Sequence, residues 1–212
     1  MSIDREALRL YAVTDRAWAG DEEALFRQVE AAVRGGARVV QLREKHLDRA
    51  AFLEEAKRFV LLCRRLGAVS IINDSVEIAL ESGAGGVHVG QSDLEAGRAR
   101  ALLGPERIVG VSAHSAAEAL RAKAAGADYL GCGAAFATGT KTDAKPISKE
   151  TIRAVTAAAG EIPVVAIGGV VRENLLELKG LGLAGVAVVS GIFGQKDPEA
   201  AARELLALAK QL

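Results

Sequence analysis

Short apolar runs, each closed by glycine or a polar cluster, fall at 8–13, 38–42, 69–72, 86–89, 107–111, 128–130, 163–167 and 185–189, with amphipathic segments of helical length between them. Runs of four to six residues without polar alternation are what parallel strands buried on both faces require. Strand followed by helix, eight times over, predicts a (β/α)8 TIM barrel. Helix starts hold the register. Asp21-Glu22-Glu23 opens the first helix and Asp48 the second, Ser115 with Glu118 makes a capping box for the fifth, and Asp197-Pro198 opens a last helix predicted over 199–212. The whole chain, 1–212, then reads as one catalytic domain, since 212 residues lie near the lower bound of about 200 for this fold. One connection, 134–145, is too long and polar for an ordinary strand-to-helix turn and is expected to be a lid.

Composition narrows the partners. Half the residues are hydrophobic and 4% aromatic, so the core is expected to be Val, Ile, Leu and Ala. The 27 basic and 27 acidic residues cancel, which leaves no long-range field for nucleic acid or an anionic membrane; anionic ligands must be met by local clusters of Lys and Arg. The opening MSIDREALRLYAV carries charges where a signal peptide needs an apolar core, and no run of 18 apolar residues occurs, so a soluble, cytoplasmic protein is expected. Two cysteines and three scattered histidines make neither a disulfide framework nor a zinc site. Cys63 continues a helical stripe with Phe52, Ala56, Phe59 and Leu66, and Cys132 has no neighbouring His or Lys to activate it; both read as packing residues.

In a TIM barrel the active site gathers at the carboxyl ends of the strands. On the second strand a period of two puts Val39, Gln41 and Arg43 on one face, and Lys45 as well if the chain stays extended. The third strand ends in Asn73-Asp74 and the fourth in Gly90-Gln91-Ser92-Asp93. Two carboxylates beside two cations suit a polyanion bridged by Mg2+, which takes few carboxylates together with phosphate oxygens. Helix capping competes for both acids, because Asp74 with Glu77 fits a capping pattern and Asp93 directly precedes a helix. Gly168-Gly169 follows the seventh strand and Val189-Ser190-Gly191 the eighth, the usual place for a substrate phosphate, although a Gly-Gly pair also makes a plain tight turn. Thr138, Thr140 and Lys141 bring hydroxyls and a third cation to the same rim. Ser112 and His114 end the fifth strand on one face without forming a nucleophilic triad, and His114 can equally be the residue before the Ser115 cap. His88, between Val87 and Val89, reads as a hydrogen-bonded group inside the barrel. Gly131-Cys132-Gly133 is no dinucleotide fingerprint, since Phe136 stands where a third glycine is needed.

Taken together, QLREK (41–45), IND (72–74), HVGQSD (88–93), GVSAH (110–114), TGTK (138–141), IGG (167–169) and VSG (189–191) resemble the thiamine-phosphate synthase family, in order and spacing, over nearly the whole chain. The resemblance implies a transferase that joins an aminopyrimidine methyl diphosphate to a thiazole phosphate, or its carboxylate, releasing diphosphate and giving thiamine phosphate with Mg2+ as cofactor. It implies that Asp74 and Asp93 hold the metal, that Arg43, Lys45, Asn73 and Lys141 meet the diphosphate, and that Gln41 and Ser112 meet the pyrimidine. Thr138, Thr140, Gly168 and Ser190 would receive the thiazole phosphate, Val189 would join the substrate-binding residues, and Arg43, Lys45, Lys141 and Ser112 would carry the catalysis. The partners are small molecules, with no role for nucleic acid or membrane; subunit number is not readable. Rival readings are a thiazole tautomerase-like relative, expected to lose the diphosphate groups and to carry a histidine at position 134, a sugar-phosphate isomerase, which has no use for the cluster of Arg43, Lys45, Asp74 and Asp93, and a phosphate-sensing module. Ser75, Ser92 and Ala134 depart from the common synthase pattern without touching an implied role; the absence of proline at 134 bears on the stiffness of the sixth loop.

Overall fold

The structure, a computed structural model, describes residues 3–90, 96–140 and 145–212. Parallel strands β1 (Leu10–Val13), β2 (Val39–Leu42), β3 (Val69–Asn73), β4 (Gly86–Val89), β5 (Ile108–Ala113), β6 (Tyr129–Gly133), β7 (Val164–Ile167) and β8 (Gly185–Val188) pair in chain order. The barrel closes where Tyr11 of β1 sits opposite Ala187 of β8. Helices α1 (Glu22–Arg34), α2 (Arg49–Leu66), α3 (Val76–Ser82), α4 (Ala96–Leu103), α5 (Ala116–Ala124), α6 (Lys149–Ala159), α7 (Ser190–Phe193) and α8 (Pro198–Ala209) surround it. Among the described residues no helix is long and apolar enough to cross a membrane.

The start signals act as expected. Side chains of Asp21, Asp48, Ser115 and Asp197 accept from the backbone N–H of Ala24, Ala51, Glu118 and Ala200, each satisfying a donor that the first helical turn leaves open. The Glu118 carboxylate reaches back one residue further than a capping box requires, to the N–H of His114 at 2.7 Å. The eightfold alternation breaks once. Between β7 and β8 the chain forms only a 3-10 turn, Leu175–Leu178, in place of a helix. Asn174 ties that turn down by accepting from Val171 N–H and donating to the Gly169 carbonyl, both at 2.9 Å, while Gly180 and Gly182 adopt φ of 75° and 79° and end it. The missing element is offset by α7, a short helix directly after β8.

Two apolar layers follow from strand parity. Leu10, Val40, Leu42, Val87, Val109, Leu130 and Val186 face outward against the helices, joined by Phe59 and Cys63 from α2 and by Cys132 from β6. Leu8, Tyr11, Val13, Val39, Ile71, Ile108, Tyr129, Val165 and Ala187 fill the barrel itself. Each such aliphatic side chain, fully buried, contributes roughly 1.5–3 kcal/mol. One step further along the inward-facing rows the residues turn polar, to Gln41, Asn73, His88 and Ser112. The filled barrel therefore ends in a polar floor at the carboxyl ends of its strands.

Candidate active site

Above that floor lies a cavity of about 400 Å³. Gln41, Arg43, Lys45, Asn73, Asp74, Ser112, Thr138, Thr140, Gly168, Val189 and Ser190, drawn from six strand ends, all line it. Asp93 and Lys141, also expected here, lie outside the described residues. His114 joins the lining, with its Nδ1 3.1 Å from Glu118, so it is both the residue before the Ser115 cap and part of the wall. A second cavity of about 450 Å³ shares Arg43, Lys45, Thr140 and Ser190 with the first and adds Asp15, Arg16 and His46.

Asp74 is not a helix cap. Ser75 takes that role by accepting from Ile78 N–H, while Asp74 adopts φ 64°, a left-handed conformation that Asp tolerates better than most residues. The turn swings its carboxylate toward β2, where Oδ2 accepts from Lys45 Nζ at 2.5 Å and from Asn73 Nδ2 at 2.7 Å. Holding a non-glycine residue there costs of order 1–3 kcal/mol, and the turn is held by backbone bonds from Asp74 N–H to the His88 carbonyl and from Ser75 N–H to the Asn73 carbonyl, both at 2.8 Å. Arg43 is held beside it, its N–H donating to Thr14 Oγ1 at 3.0 Å and its guanidinium to Asp15 at 3.3 Å. Lys45 and Asp74 stay roughly a third to a half exposed, so this ion pair adds little stability and remains open to a ligand.

On the opposite side the glycines are required by shape. Gly168 and Gly169 have φ of 93° and 65°, and a Cβ on them would lie 2.7 Å from the Cβ of Ala134 and 2.3 Å from the Ala137 carbonyl. The sixth loop begins as an extension of the barrel pressed on this turn, with Ala135 N–H donating to Ile167 O at 2.8 Å and Phe136 N–H to Gly168 O at 3.0 Å. Thr138 then accepts from the N–H of Thr140 at 3.2 Å. A phosphate above Gly168-Gly169 and Ser190 would meet bare backbone on two sides and hydroxyls on a third.

The floor joins Gln41, His88 and Ser112 to two phenols that the apolar pattern does not single out, Tyr11 and Tyr129. Gln41 donates through Nε2 to the hydroxyl of Tyr11, which lies 2.8 Å from the Tyr129 hydroxyl; that in turn lies 2.9 Å from His88 Nδ1, and His88 Nε2 lies 3.1 Å from Ser112 Oγ. The two rings of Tyr11 and Tyr129 meet edge to face at 5.8 Å. Burial pushes both phenols up, and it pushes the His88 imidazole down to about 4 against a smaller upward pull from Asp74. His88 is therefore neutral inside the barrel, the interior hydrogen-bonded group expected for it. The usable signal was parity. Tyr11 and Tyr129, the chain's two tyrosines, stand at inward positions, and a buried phenol needs a partner for its O–H. The glycines of GVS and GCG make room: a Cβ on Gly110 would fall 2.1 Å from the Tyr129 ring, and one on Gly131 would fall 3.0 Å from His88.

Glu44, between the two cations of QLREK, has the opposite parity and turns away from the cavity. Its Oε1 accepts from Arg16 Nε at 2.8 Å, and Arg16 also pairs with Glu55 of α2. Both carboxylates are buried, and Glu44 Oε2 and Glu55 Oε1 are each without a hydrogen-bond partner. Burial raises the Glu55 carboxyl while Arg16 pulls it the other way. The triad clamps the backbone that carries Arg43 and Lys45 from beneath.

With this geometry in view, the likeness to known proteins is specific. Residues 10–192 match the family model described as thiamine monophosphate synthase. The thiamine-phosphate synthase of Ruminiclostridium cellulolyticum is 46% identical over 197 residues, 93% of each chain. That of Chloroflexus aurantiacus is 47% identical over 203 residues, 94% of this chain and 92% of its own. The solved thiamine phosphate pyrophosphorylase from Pyrococcus furiosus superposes with a TM-score of 0.87 at 36% identity, covering 97% of both chains. Barrel, site and sequence agree: the chain belongs to the thiamine monophosphate synthase family.

Proposed function

We propose that this chain is the transferase that joins an aminopyrimidine methyl diphosphate to a thiazole phosphate, forming thiamine phosphate and diphosphate. The observation that carries the reading is the convergence of Gln41, Arg43, Lys45, Asn73, Asp74 and Ser112 on one side of a single cavity with Gly168, Gly169 and Ser190 on the other. One side suits a diphosphate and a ring with hydrogen-bonding edges; the other suits a monophosphate. On this reading its partners are two small molecules and its setting is the cytoplasm.

The donor set fits Mg2+. Asp74 presents one fixed carboxylate whose Oδ2 already serves Lys45 and Asn73, and no group of three or more His, Cys, Asp or Glu comes together among the described residues. A hard cation held by one or two carboxylates and completed by diphosphate oxygens matches such a site better than an all-protein cage does. Asp74 would hold the ion together with Asp93, and when bound it neutralises charge on the departing diphosphate.

The chain's own residues do the rest. Arg43 and Lys45 lie where the diphosphate leaves, with Lys141 assigned to the same task, and stabilise the oxygen that takes the electron pair of the breaking C–O bond. The electron-rich pyrimidine supports the positive charge left on its methylene carbon. The thiazole nitrogen then donates its lone pair to that carbon. It has no proton to lose, so no general base is needed, consistent with a neutral His88 locked in the floor. Gln41 and Ser112 orient the pyrimidine, while Thr138, Thr140, Gly168 and Ser190 hold the thiazole phosphate. Exclusion of water from the cavity keeps it from trapping the cation.

The test is direct. Purified protein is mixed with both half-substrates, with and without Mg2+, and thiamine phosphate is measured by chromatography; product is expected only with the metal. Absence of product under both conditions overturns the reading.

A further inference from the structure

The buried run Gln41–Tyr11–Tyr129–His88–Ser112 links three residues of the cavity wall, Gln41, His88 and Ser112, through two phenols that do not line it. Gln41, Tyr11, Tyr129 and His88 are 3%, 1%, 0% and 8% exposed, so no bulk water stands in for a missing partner. Each phenol has one proton to give, so when both buried O–H groups are paired within the run the hydrogen bonds take one of two directions. In the first, Gln41 Nε2–H donates to Tyr11, Tyr11 to Tyr129, Tyr129 to His88 Nδ1, and His88 Nε2–H to Ser112. In the second every bond is reversed. The directions differ in which amide atom of Gln41 is turned away from Tyr11: in the first it is the Oε1 acceptor, in the second the NH2 donor. The contact found, Gln41 Nε2 on the Tyr11 hydroxyl, is that of the first.

An isolated glutamine amide flips at small cost and would accept either edge of a ligand. Here a flip requires both phenols to turn and the His88 proton to change nitrogen, or else leaves the Gln41 carbonyl oxygen facing the lone pair of the Tyr11 hydroxyl, acceptor against acceptor. We propose that Tyr11, Tyr129 and His88 are positioning residues that commit Gln41 to act as a hydrogen-bond acceptor, and so make the site select a pyrimidine bearing an amino group over one bearing an oxo group. The inference rests on the aminopyrimidine reading above and deepens it. Gly110 and Gly131 fit the same account, since side chains there would occupy the space of the Tyr129 ring and of His88.

Two measurements test it. Protein labelled with 15N-histidine is saturated with the aminopyrimidine methyl diphosphate and Mg2+, without thiazole phosphate, and ring nitrogen shifts are recorded. Three histidines are few enough to assign His88 by comparison with His88→Gln. The expected signature is a neutral ring protonated on Nε2; protonation on Nδ1 overturns the proposal. Tyr11→Phe and Tyr129→Phe are then compared with the unsubstituted protein. The KM for the pyrimidine should rise about fivefold to tenfold, and the preference for the amino compound over its oxo analogue, measured as a competitive inhibitor, should fall about tenfold. The KM for the thiazole phosphate should not move. Unchanged preference in both variants overturns the relay, and if neither variant folds the tautomer measurement decides alone. Failure to form product in the mixed-substrate assay would sink the parent reading, whereas product with an unaltered preference in Tyr11→Phe sinks only this one.

Discussion

Replacing Arg16 by Met should destabilise the protein severely and do so in a pH-dependent way. The substitution keeps an unbranched apolar stem and removes the one cation shared by two glutamates whose side chains are 1% and 3% exposed. Each glutamate already has one oxygen without a partner, so nothing else in the described structure takes up the load. Breaking a buried ion pair from one side costs about 3–5 kcal/mol, and for a chain of this size each kcal/mol moves Tm by roughly 2–4 °C. A drop of about 6–20 °C at pH 8 is therefore expected. The sign with pH follows from Glu55. Burial holds its carboxyl high in the folded state and Arg16 opposes this; without Arg16 the folded value rises further above the unfolded value of about 4.3. A carboxyl raised on folding keeps a proton that the unfolded chain gives up, so stability is retained at low pH and lost as pH climbs through the folded value. The deficit of Arg16→Met should be small near about pH 5 and full at about pH 8. Differential scanning calorimetry across that range checks it. Adding Glu44→Gln and Glu55→Gln to Arg16→Met should recover most of the loss, because the charges leave together. A deficit under about 2 °C at pH 8, or one that does not vary with pH, would refute the reasoning.

Three further outcomes are expected. Asp74→Asn preserves shape and a side chain tolerant of the left-handed conformation, so Tm should hold while kcat falls about 100-fold to 1000-fold in a coupled assay for diphosphate release; wild-type kcat would remove Asp74 from the metal site. Gly169→Ala forces a Cβ to within 2.3 Å of the Ala137 carbonyl at φ 65°, and should raise the KM for thiazole phosphate about tenfold or more while leaving that for the pyrimidine near its original value. Spectrophotometric titration reads the two tyrosines together. Both are buried and shifted up, so no tyrosinate absorbance should develop up to about pH 11 in the folded protein, and both should ionise when alkali unfolds it. Because the unfolded chain loses these protons first, stability should fall as pH rises past about 10.

The placement of Arg43, Lys45, Asp74, Gly168 and Ser190 at one end of the barrel was legible in the sequence because parallel strands expose their carboxyl ends together. Whatever follows an apolar run in such a fold shares a rim with whatever follows the others. The seventh helix was not legible. The apolar pattern of 175–183 suits a helix as well as it suits a 3-10 turn, and the choice lies with Gly180, Gly182 and the Asn174 clamp on Gly169. The helix-capping alternative for Asp74 was equally sound on local grounds, and it lost to Ser75 once Lys45, distant in sequence, was close enough to hold the carboxylate.

By itself the order of apolar and polar residues determined the barrel, its register and the set of groups at its mouth, since hydrophobic period and helix caps act over a few residues and are written in consecutive letters. Only the closed structure decided which atoms meet. The chain Gln41–Tyr11–Tyr129–His88–Ser112 joins five strands, and Arg16, Glu44 and Glu55 come from the ends of two strands and a helix. Contacts of that kind depend on strand stagger and on the space left by Gly110 and Gly131, which no local pattern specifies, because a polar side chain inside a barrel finds its partner across the barrel and not along the chain.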